Sequence, residues 1–400
     1  MFSLLKQSIA MIAIGLASLP RRLWISAAMV LSIALVVCVL IGFLSMAKGF
    51  ETATVGAGSA SVAVILGNGT NQESNSTIPG DVVRAMRASQ EDFGVERDAQ
   101  GQLMLSRELV VPVDLPRAAN GAPQTLALRG MDQTGPALRR NAHITAGRLF
   151  SPGARELVVG ARLSHDYKGL SLGDKVSIGG VDWTVVGQFT ANGSAFESEI
   201  WGDLDAVQSA FDAQGRIQSL RVALTSPAGL QALQDALPRF SQMPLVARSE
   251  IALFAAQSER TGALIRMFGW PLAILMATGA IAGALNTMMT SVADRSTELA
   301  TVRTLGFSRL AAFFGTCGEA IVLSAIGAIV GMLASWLIFN GFHASTLGGG
   351  QTQTGFDLRV NGSVLLAGGA LGLAVGIIGG GIAAFSATRI SLAQALRASL

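Results

Sequence analysis

The chain of 400 residues is half hydrophobic, with a mean hydropathy of +0.49 and only 14% charged residues, too apolar for an ordinary soluble protein. Its formal charge of +3 is small and its basic residues form no long block, so the composition gives no support to a nucleic-acid role. Cys38 and Cys317 fall in long apolar runs, and the three histidines show no HExxH or other ligand spacing, which argues against a disulfide framework, a metal site and metal-dependent catalysis.

Residues 1–22 come first. Phe2, Leu5, Ile9, Ile12, Leu16 and Leu19 recur at steps of three and four, which predicts an amphipathic helix lying in the membrane interface. Ser8–Leu19, preceded by Lys6, also has the length of a signal-peptide core, but cleavage there would leave the next span unexplained. Pro20 ends the helix, and Arg21–Arg22 lead into an apolar run at 23–46. Similar runs at 267–292, 310–339 and 363–387 predict four transmembrane helices. Lys6, Arg21 and Arg22 flank the first, Arg295, Arg303 and Arg309 lie between the second and third, and Arg389 and Arg397 fall in the tail at 388–400. The loop at 340–362 holds only Asp357 and Arg359. This asymmetry puts both termini in the cytoplasm and residues 47–266 outside, in the periplasm of a cell with two membranes.

Within 47–266 the ends repeat one pattern. Strand-like Ser61–Leu66 is followed by a polar loop, a helix from Pro79 and Asp81 to Ser89, and a strand starting at Gln102–Leu105. Strand-like Ser219–Leu224 is followed by Ser226–Pro227 as N-cap and first helical residue, a helix to Leu237 and a strand at Leu245–Arg248. Two such units predict ferredoxin-like halves. The short runs Glu108–Val113, Gln124–Arg129, Glu156–Val159, Lys175–Ile178 and Asp182–Phe189 between them predict a β-rich insertion over about 107–218. Its loops Asn192–Gly193–Ser194 and Glu197–Trp201 are expected to be mobile, with Trp201 either a partner's anchor or a core residue. Leu253–Met267 has no break before the second span, so it reads as a helical stalk, and a stalk continuous with the span would transmit motion as a stiff rod.

The segment at 293–309 is too polar to insert and longer than a hairpin needs. Asp294–Leu305 makes about three helical turns, with Leu299, Val302 and Leu305 on one edge and Arg295, Glu298 and Arg303 available to a partner. It reads as a docking helix. Inside the spans, Gly368, Gly372, Gly376 and Gly380 form a small-residue ridge, and Gly279/Gly283 and Gly327/Gly331 repeat the spacing. Packing within one protomer and across a dimer both fit. Glu319 is the one acidic residue in a span, where it needs a partner or a wet site; a structural hydrogen bond and a proton pathway are the two readings.

The stretch SVADRSTELATVRTLGFSRLAAFF, continued by GEAIVLSAIGAIVG, resembles the signature of the MacB/FtsX-like ABC transporter permeases. Their pattern, close to E-R-x-x-E-I-x-x-L-R-A-L-G-A-S, is matched at Arg295, Glu298, Arg303, Leu305, Gly306 and Ser308 and departed from at Ala300 and Phe307. Glu319 falls where these permeases commonly carry a glutamate, and ITAGRLFSPGARELVVGARL with LGDKVSIGGVDWTVVGQF resembles their periplasmic core domain. The resemblance implies an α-helical membrane protein with four transmembrane helices plus an extracytoplasmic α+β domain. It also implies a permease dimer, of two identical or two related chains, and a cytoplasmic coupling helix that fits a cleft on a separate ATPase dimer. No GxxxxGK[ST] occurs in the sequence, so ATP and Mg are expected on that other chain, and this chain is expected to be a non-catalytic subunit in bacterial inner-membrane lipid. Two functions are weighed: the permease of an ATP-driven exporter working with a periplasmic adaptor, favoured by the large insertion, and a mechanotransmitting subunit that regulates a periplasmic enzyme without cargo.

Overall fold

The computed structural model describes residues 2–18, 23–67, 69–348 and 352–388. Pro20, Arg21, Arg22, Arg389 and Arg397, and with them nearly all of the tail, lie outside the described residues. The chain divides into a helical unit, drawn from 1–48, 264–342 and 358–400, and an α/β unit, drawn from 49–263 and 343–357.

In chain order, α1 (Phe2–Ser18) and α2 (Leu23–Val55) precede β1 (Val62–Gly67), α3 (Gly80–Ala88) and β2 (Leu105–Pro116). Next come β3 (Pro123–Met131), α4 (Gly135–Leu138), β4 (His143–Gly147), β5 (Glu156–Gly160) and α5 (Ala161–Asp166). They are followed by β6 (Lys175–Ile178), β7 (Val181–Thr190), β8 (Glu199–Asp203) and α6 (Leu204–Ala210). β9 (Ser219–Ala223), α7 (Gly229–Phe240) and β10 (Leu245–Ser249) lead into α8 (Glu250–Asp294) and α9 (Ser296–Thr304). Last are α10 (Arg309–Phe339), β11 (His343–Leu347), β12 (Gln353–Asp357) and α11 (Gly362–Thr388).

In the α/β unit one sheet runs β10-β1-β9-β2-β3-β8-β5-β7-β4, with β6 also on β7. Its first four strands have the antiparallel ferredoxin-like order, with the fourth, first, third and second strands side by side. β1 (VAVILG) lies between two neighbours and is apolar on both faces. In α3, Val82, Val83 and Met86 are buried, Asp81 sits in the first turn and Arg87 in the last, as the helix dipole favours. These residues and Leu233, Ala236 and Leu237 of α7 cover the sheet with one core. The insertion branches within β2, whose start pairs with β9 and whose remainder pairs with β3. It has its own core around Leu126, Leu157, Trp183, Ile200 and Val207.

Two expectations are corrected here. The residues Ser226–Pro227 form a turn, and α7 starts at Gly229, where the backbone lies against Gly94 so closely that a Cβ on Gly94 would fall 2.4 Å from the Gly229 oxygen. The loop at Asn192–Ser194 is not free: Glu197 Oε1 accepts hydrogen bonds from Thr190 Oγ1 (2.7 Å), the Ala191 N–H (2.7 Å) and the Gly193 N–H (2.9 Å). Trp201 is a core residue, stacked on Phe189 with ring centroids 3.7 Å apart and donating from Nε1 to Glu199 Oε2. One further element went unread in the sequence: the loop at 340–362 folds as the β11–β12 hairpin, with Phe356 buried against Phe50. Two short Thr-containing runs around a glycine-rich stretch of sequence are the available signal.

Among the described residues, four helices are long and apolar enough to cross a membrane: α2, α8, α10 and α11. Small residues set their spacing. Gly327 and Gly331 of α10 lie against the backbone of α2 at Val30 and Ala34. Gly368 and Gly372 of α11 meet Ile41 and Val37 of α2, and Gly376 and Gly380 meet Ser324 and Ala320 of α10. The ridge therefore packs inside one protomer. Gly279 and Gly283 of α8 have no atom within 4 Å of their Cβ positions. α1 lies on α10 through Met11 and Ile12, opposite Gly315 and Gly318, while Ile9 is exposed.

A Cβ on Gly380 would lie 2.1 Å from that of Ala320. Gly380→Ala is expected to cost about 1–3 kcal/mol of helical-unit stability by overpacking. Gly283→Ala is expected to be near neutral. Denaturation midpoints of the two variants in detergent check the contrast.

Candidate coupling site

The site is a corner between two long helices. α8 ends at Asp294, Arg295 makes the turn, and α9 runs for nine residues to Thr304. Gly306, at φ +95°, stops α9: the Phe307 N–H donates to the Val302 carbonyl, the longer bond of a Schellman cap. Val302 and Phe307 pack together against Met11, Ala311 and Ala312, which supplies the hydrophobic contact of that cap. Ser308 then caps α10, its hydroxyl accepting from the Ala311 N–H at 3.1 Å. Gly306, Phe307 and Ser308 thus punctuate the chain in the space of three residues. Val302 faces inward rather than toward a partner, which corrects its place on the docking edge. Glu298 and Leu305 are exposed, while the side chains of Leu299 and Arg303 lie outside the described residues.

Arg295 is not available to a partner either. Its guanidinium donates to both oxygens of Glu319, from Nη1 at 2.9 Å and Nη2 at 3.3 Å, and from Nη2 to the Gly15 carbonyl at 3.1 Å. Glu319 is buried. One ion pair therefore joins three helical segments: the end of α1, the corner after α8 and the middle of α10. It gives Glu319 the structural partner that one reading asked for. The ridge glycines Gly368, Gly372, Gly376 and Gly380 lie on α11 and are not part of this corner.

The α/β unit contains a second charged constellation, which sequence reasoning missed. Glu108 of β2, Arg129 of β3, Arg139 after α4, Arg221 of β9 and Glu250 at the start of α8 are all buried. Glu108 Oε2 accepts from Arg129 Nη1 (2.8 Å), Arg139 Nη2 (2.8 Å) and Arg221 Nε (2.9 Å). Arg129 also pairs with Glu199 at 2.7 Å and Glu73 at 2.9 Å, and Arg221 with Glu73 at 3.2 Å. Arg221 further pairs with Glu250. Phe196 lies beneath the Arg139 guanidinium at 5.1 Å and Phe254 beneath that of Arg221 at 5.7 Å. Burial by itself would raise the Glu108 carboxyl, but the three guanidiniums outweigh it and hold the group well below its usual range; Glu73 is lowered in the same way by Arg129 and Arg221. The signal in the sequence was an arginine inside SLRVA, a run otherwise fit for a strand buried on both faces.

A model of the MacB-like periplasmic core domain matches residues 26–240, and one of the FtsX-like permease C-terminal region matches 271–392. Together with the four helices and the inserted α/β unit, these matches define the membrane subunit of an ABC transporter. The chain belongs to the MacB/FtsX-like permease family. Among solved structures, the periplasmic region of MacB from Actinobacillus actinomycetemcomitans is 12% identical, with a TM-score of 0.38 over 50% of this chain and 92% of that one. The extracellular domain of the noncanonic ABC-type transporter YknZ from Gram-positive bacteria is 12% identical, with a TM-score of 0.34 over 47% of this chain and 100% of that one. No curated protein matches the chain.

Removing one partner of the Arg295–Glu319 pair leaves a buried charge uncompensated, at about 3–5 kcal/mol. Arg295→Ala is therefore expected to lower the denaturation midpoint far more than Glu298→Ala, whose side chain is exposed. A titration tests the second constellation. Glu73 and Glu108 have folded-state values below the ordinary 4.5, so their contribution is fully present above that pH and is lost as pH falls below it. Tryptophan fluorescence of the full chain should stay level at neutral pH and report loss of the α/β unit, through Trp183 and Trp201, on the acid side only.

Proposed function

We propose that this chain is the permease subunit of an ATP-driven exporter of the bacterial inner membrane, with both termini in the cytoplasm. In this reading it couples ATP hydrolysis on a separate, dimeric ATPase to motion of its periplasmic α/β unit. The observation that carries the reading is the coupling corner: α9 is pinned at Arg295 and stopped at Gly306, and Glu298 and Leu305 remain exposed for a partner. The basic residues near it, Arg295 and Arg309, support the cytoplasmic assignment. ATP and Mg bind the partner ATPase, and a second permease copy, identical or related, completes the complex.

The insertion is the surface offered to a periplasmic adaptor. Its separate core around Trp183 and Ile200 supports this role, since a lobe with its own core can move and bind as one body. With Trp201 buried, the contact falls to other residues of the insertion.

Truncating a charge at a buried interface costs about 2–5 kcal/mol, roughly thirtyfold or more in affinity. Glu298→Ala and Leu305→Asp are expected to reduce the ATPase recovered with the tagged permease by that order while leaving the thermal midpoint in place. Full recovery of the ATPase with both changes combined would remove the docking assignment. If the complex hydrolyses ATP and activates a periplasmic hydrolase without moving any cargo, the mechanotransmitting function replaces export.

A further inference from the structure

Glu250 is the first residue of α8, the helix that runs unbroken for 45 residues through the second membrane-length segment. It is 1% exposed. Its Oε2 accepts the backbone N–H of Ser59 at 3.0 Å, and its other oxygen pairs with Arg221. Ser59 belongs to the turn that leaves α2. The same turn touches the start of α8 backbone to backbone, since a Cβ on Gly58 would lie 2.7 Å from the Ile251 Cα. The exit of α2 and the beginning of α8 therefore converge on one carboxylate, and that carboxylate meets the sheet through one arginine.

The contacts continue from Arg221. Its Nε donates to Glu108, which holds Arg139 and Arg129, and Arg129 reaches Glu199 of β8. The path from Glu250 thus passes through β9 and β2, which belong to the ferredoxin-like half, and ends in β3 and β8 of the insertion.

An apolar joint would tie these elements without removing charges from water, and buried ion pairs are often no more stabilising than such a replacement. What charges add is intolerance of half-measures. A small displacement leaves a buried group uncompensated, so the joint either holds its geometry or opens. A carboxylate in the first turn of a helix also suits the dipole there, but an exposed one would serve that purpose equally. Full burial against Arg221 calls for another reason.

We propose that the Glu250–Arg221 pair is the joint through which α2 and α8 move the sheet, with Glu108 passing that motion on to the insertion. Glu250, Arg221 and Glu108 are positioning residues: none is assigned contact with ATP, cargo or adaptor. The proposal rests on the reading that nucleotide drives motion of the α/β unit.

The test uses the full-length permease produced with its cognate ATPase in lipid nanodiscs. Amide hydrogen exchange is measured along α8, β3 and β8, with and without ATP and orthovanadate. In the unaltered complex, nucleotide should change exchange in all three elements. In Glu250→Gln, which keeps the size of the side chain and removes its charge, the change in β3 and β8 should fall roughly fivefold or more. The change within residues 267–292 of α8 and the amount of bound ATPase should persist. Glu250→Asp, which keeps the charge on a shorter stem, decides the matter by the same ratio should Glu250→Gln not fold, and an intermediate loss is expected from it. A folded Glu250→Gln complex whose β3 and β8 respond in full would overturn the proposal while leaving the exporter reading intact. An unaltered complex with bound ATPase and no nucleotide response even in α8 would overturn that reading, and the proposal with it.

Discussion

Charges in a protein interior restrict structure more than apolar groups do, because each must meet its counterpart at hydrogen-bond distance. In the α/β unit this constraint falls on Glu108. Three guanidiniums, from β3, from the end of α4 and from β9, converge on its carboxylate. Sliding β2 by one residue against either neighbour would turn Glu108 to the other face of the sheet and leave all three without it. The register of the strands where the two lobes meet is therefore fixed by charge, while Leu105, Leu109 and Leu220 fill the cores on either side.

The helical unit is governed by the opposite circumstance, the scarcity of charge. Lipid gives helices no hydrophobic reason to associate, so close van der Waals contact and the few polar pairs must supply the specificity. The glycines of α10 and α11 let backbones approach α2 and one another, and the Arg295–Glu319 pair fixes the depth at which α1 and the corner meet α10. α9 is short and depends on such neighbours. Nine residues do not sustain a helix alone in water, so its shape is owed to the pinned corner before it and the glycine stop behind it.

Features written in local patterns were legible in the sequence. The two β-α-β halves could be read from strand-like runs and helix periodicity, and the ferredoxin-like strand order followed from finding the pattern twice. The small-residue spacing of Gly368, Gly372, Gly376 and Gly380 was equally plain, but its partners Val37, Ser324 and Ala320 lie on other helices, and spacing carries no information about them. The same limit hid the ionic constellation. Glu108, Arg139 and Arg221 are separated in the chain; Glu108 and Arg139 each resemble an ordinary exposed charge at the start of a strand run or in a loop, and Arg221, though set inside SLRVA, does not by itself show which carboxylate it meets. A docking helix is expected to show its charges and its apolar edge, whereas the corner needs Arg295 and Val302 to hold itself together.

The β11–β12 hairpin gives the chain a particular order of assembly. It belongs to the α/β unit, yet it lies in sequence beyond α8, α9 and α10. Phe356 covers Phe50, the Gly355 N–H donates to the Ser198 hydroxyl, and Asp357 pairs with Arg162. During synthesis, residues 49–263 emerge without these contacts, and the unit keeps an unfinished face until α10 has been made and residues 343–357 follow it. Completion of the α/β unit thereby registers that the third membrane-length helix has been made. A fragment ending at residue 263 would carry that unfinished face permanently.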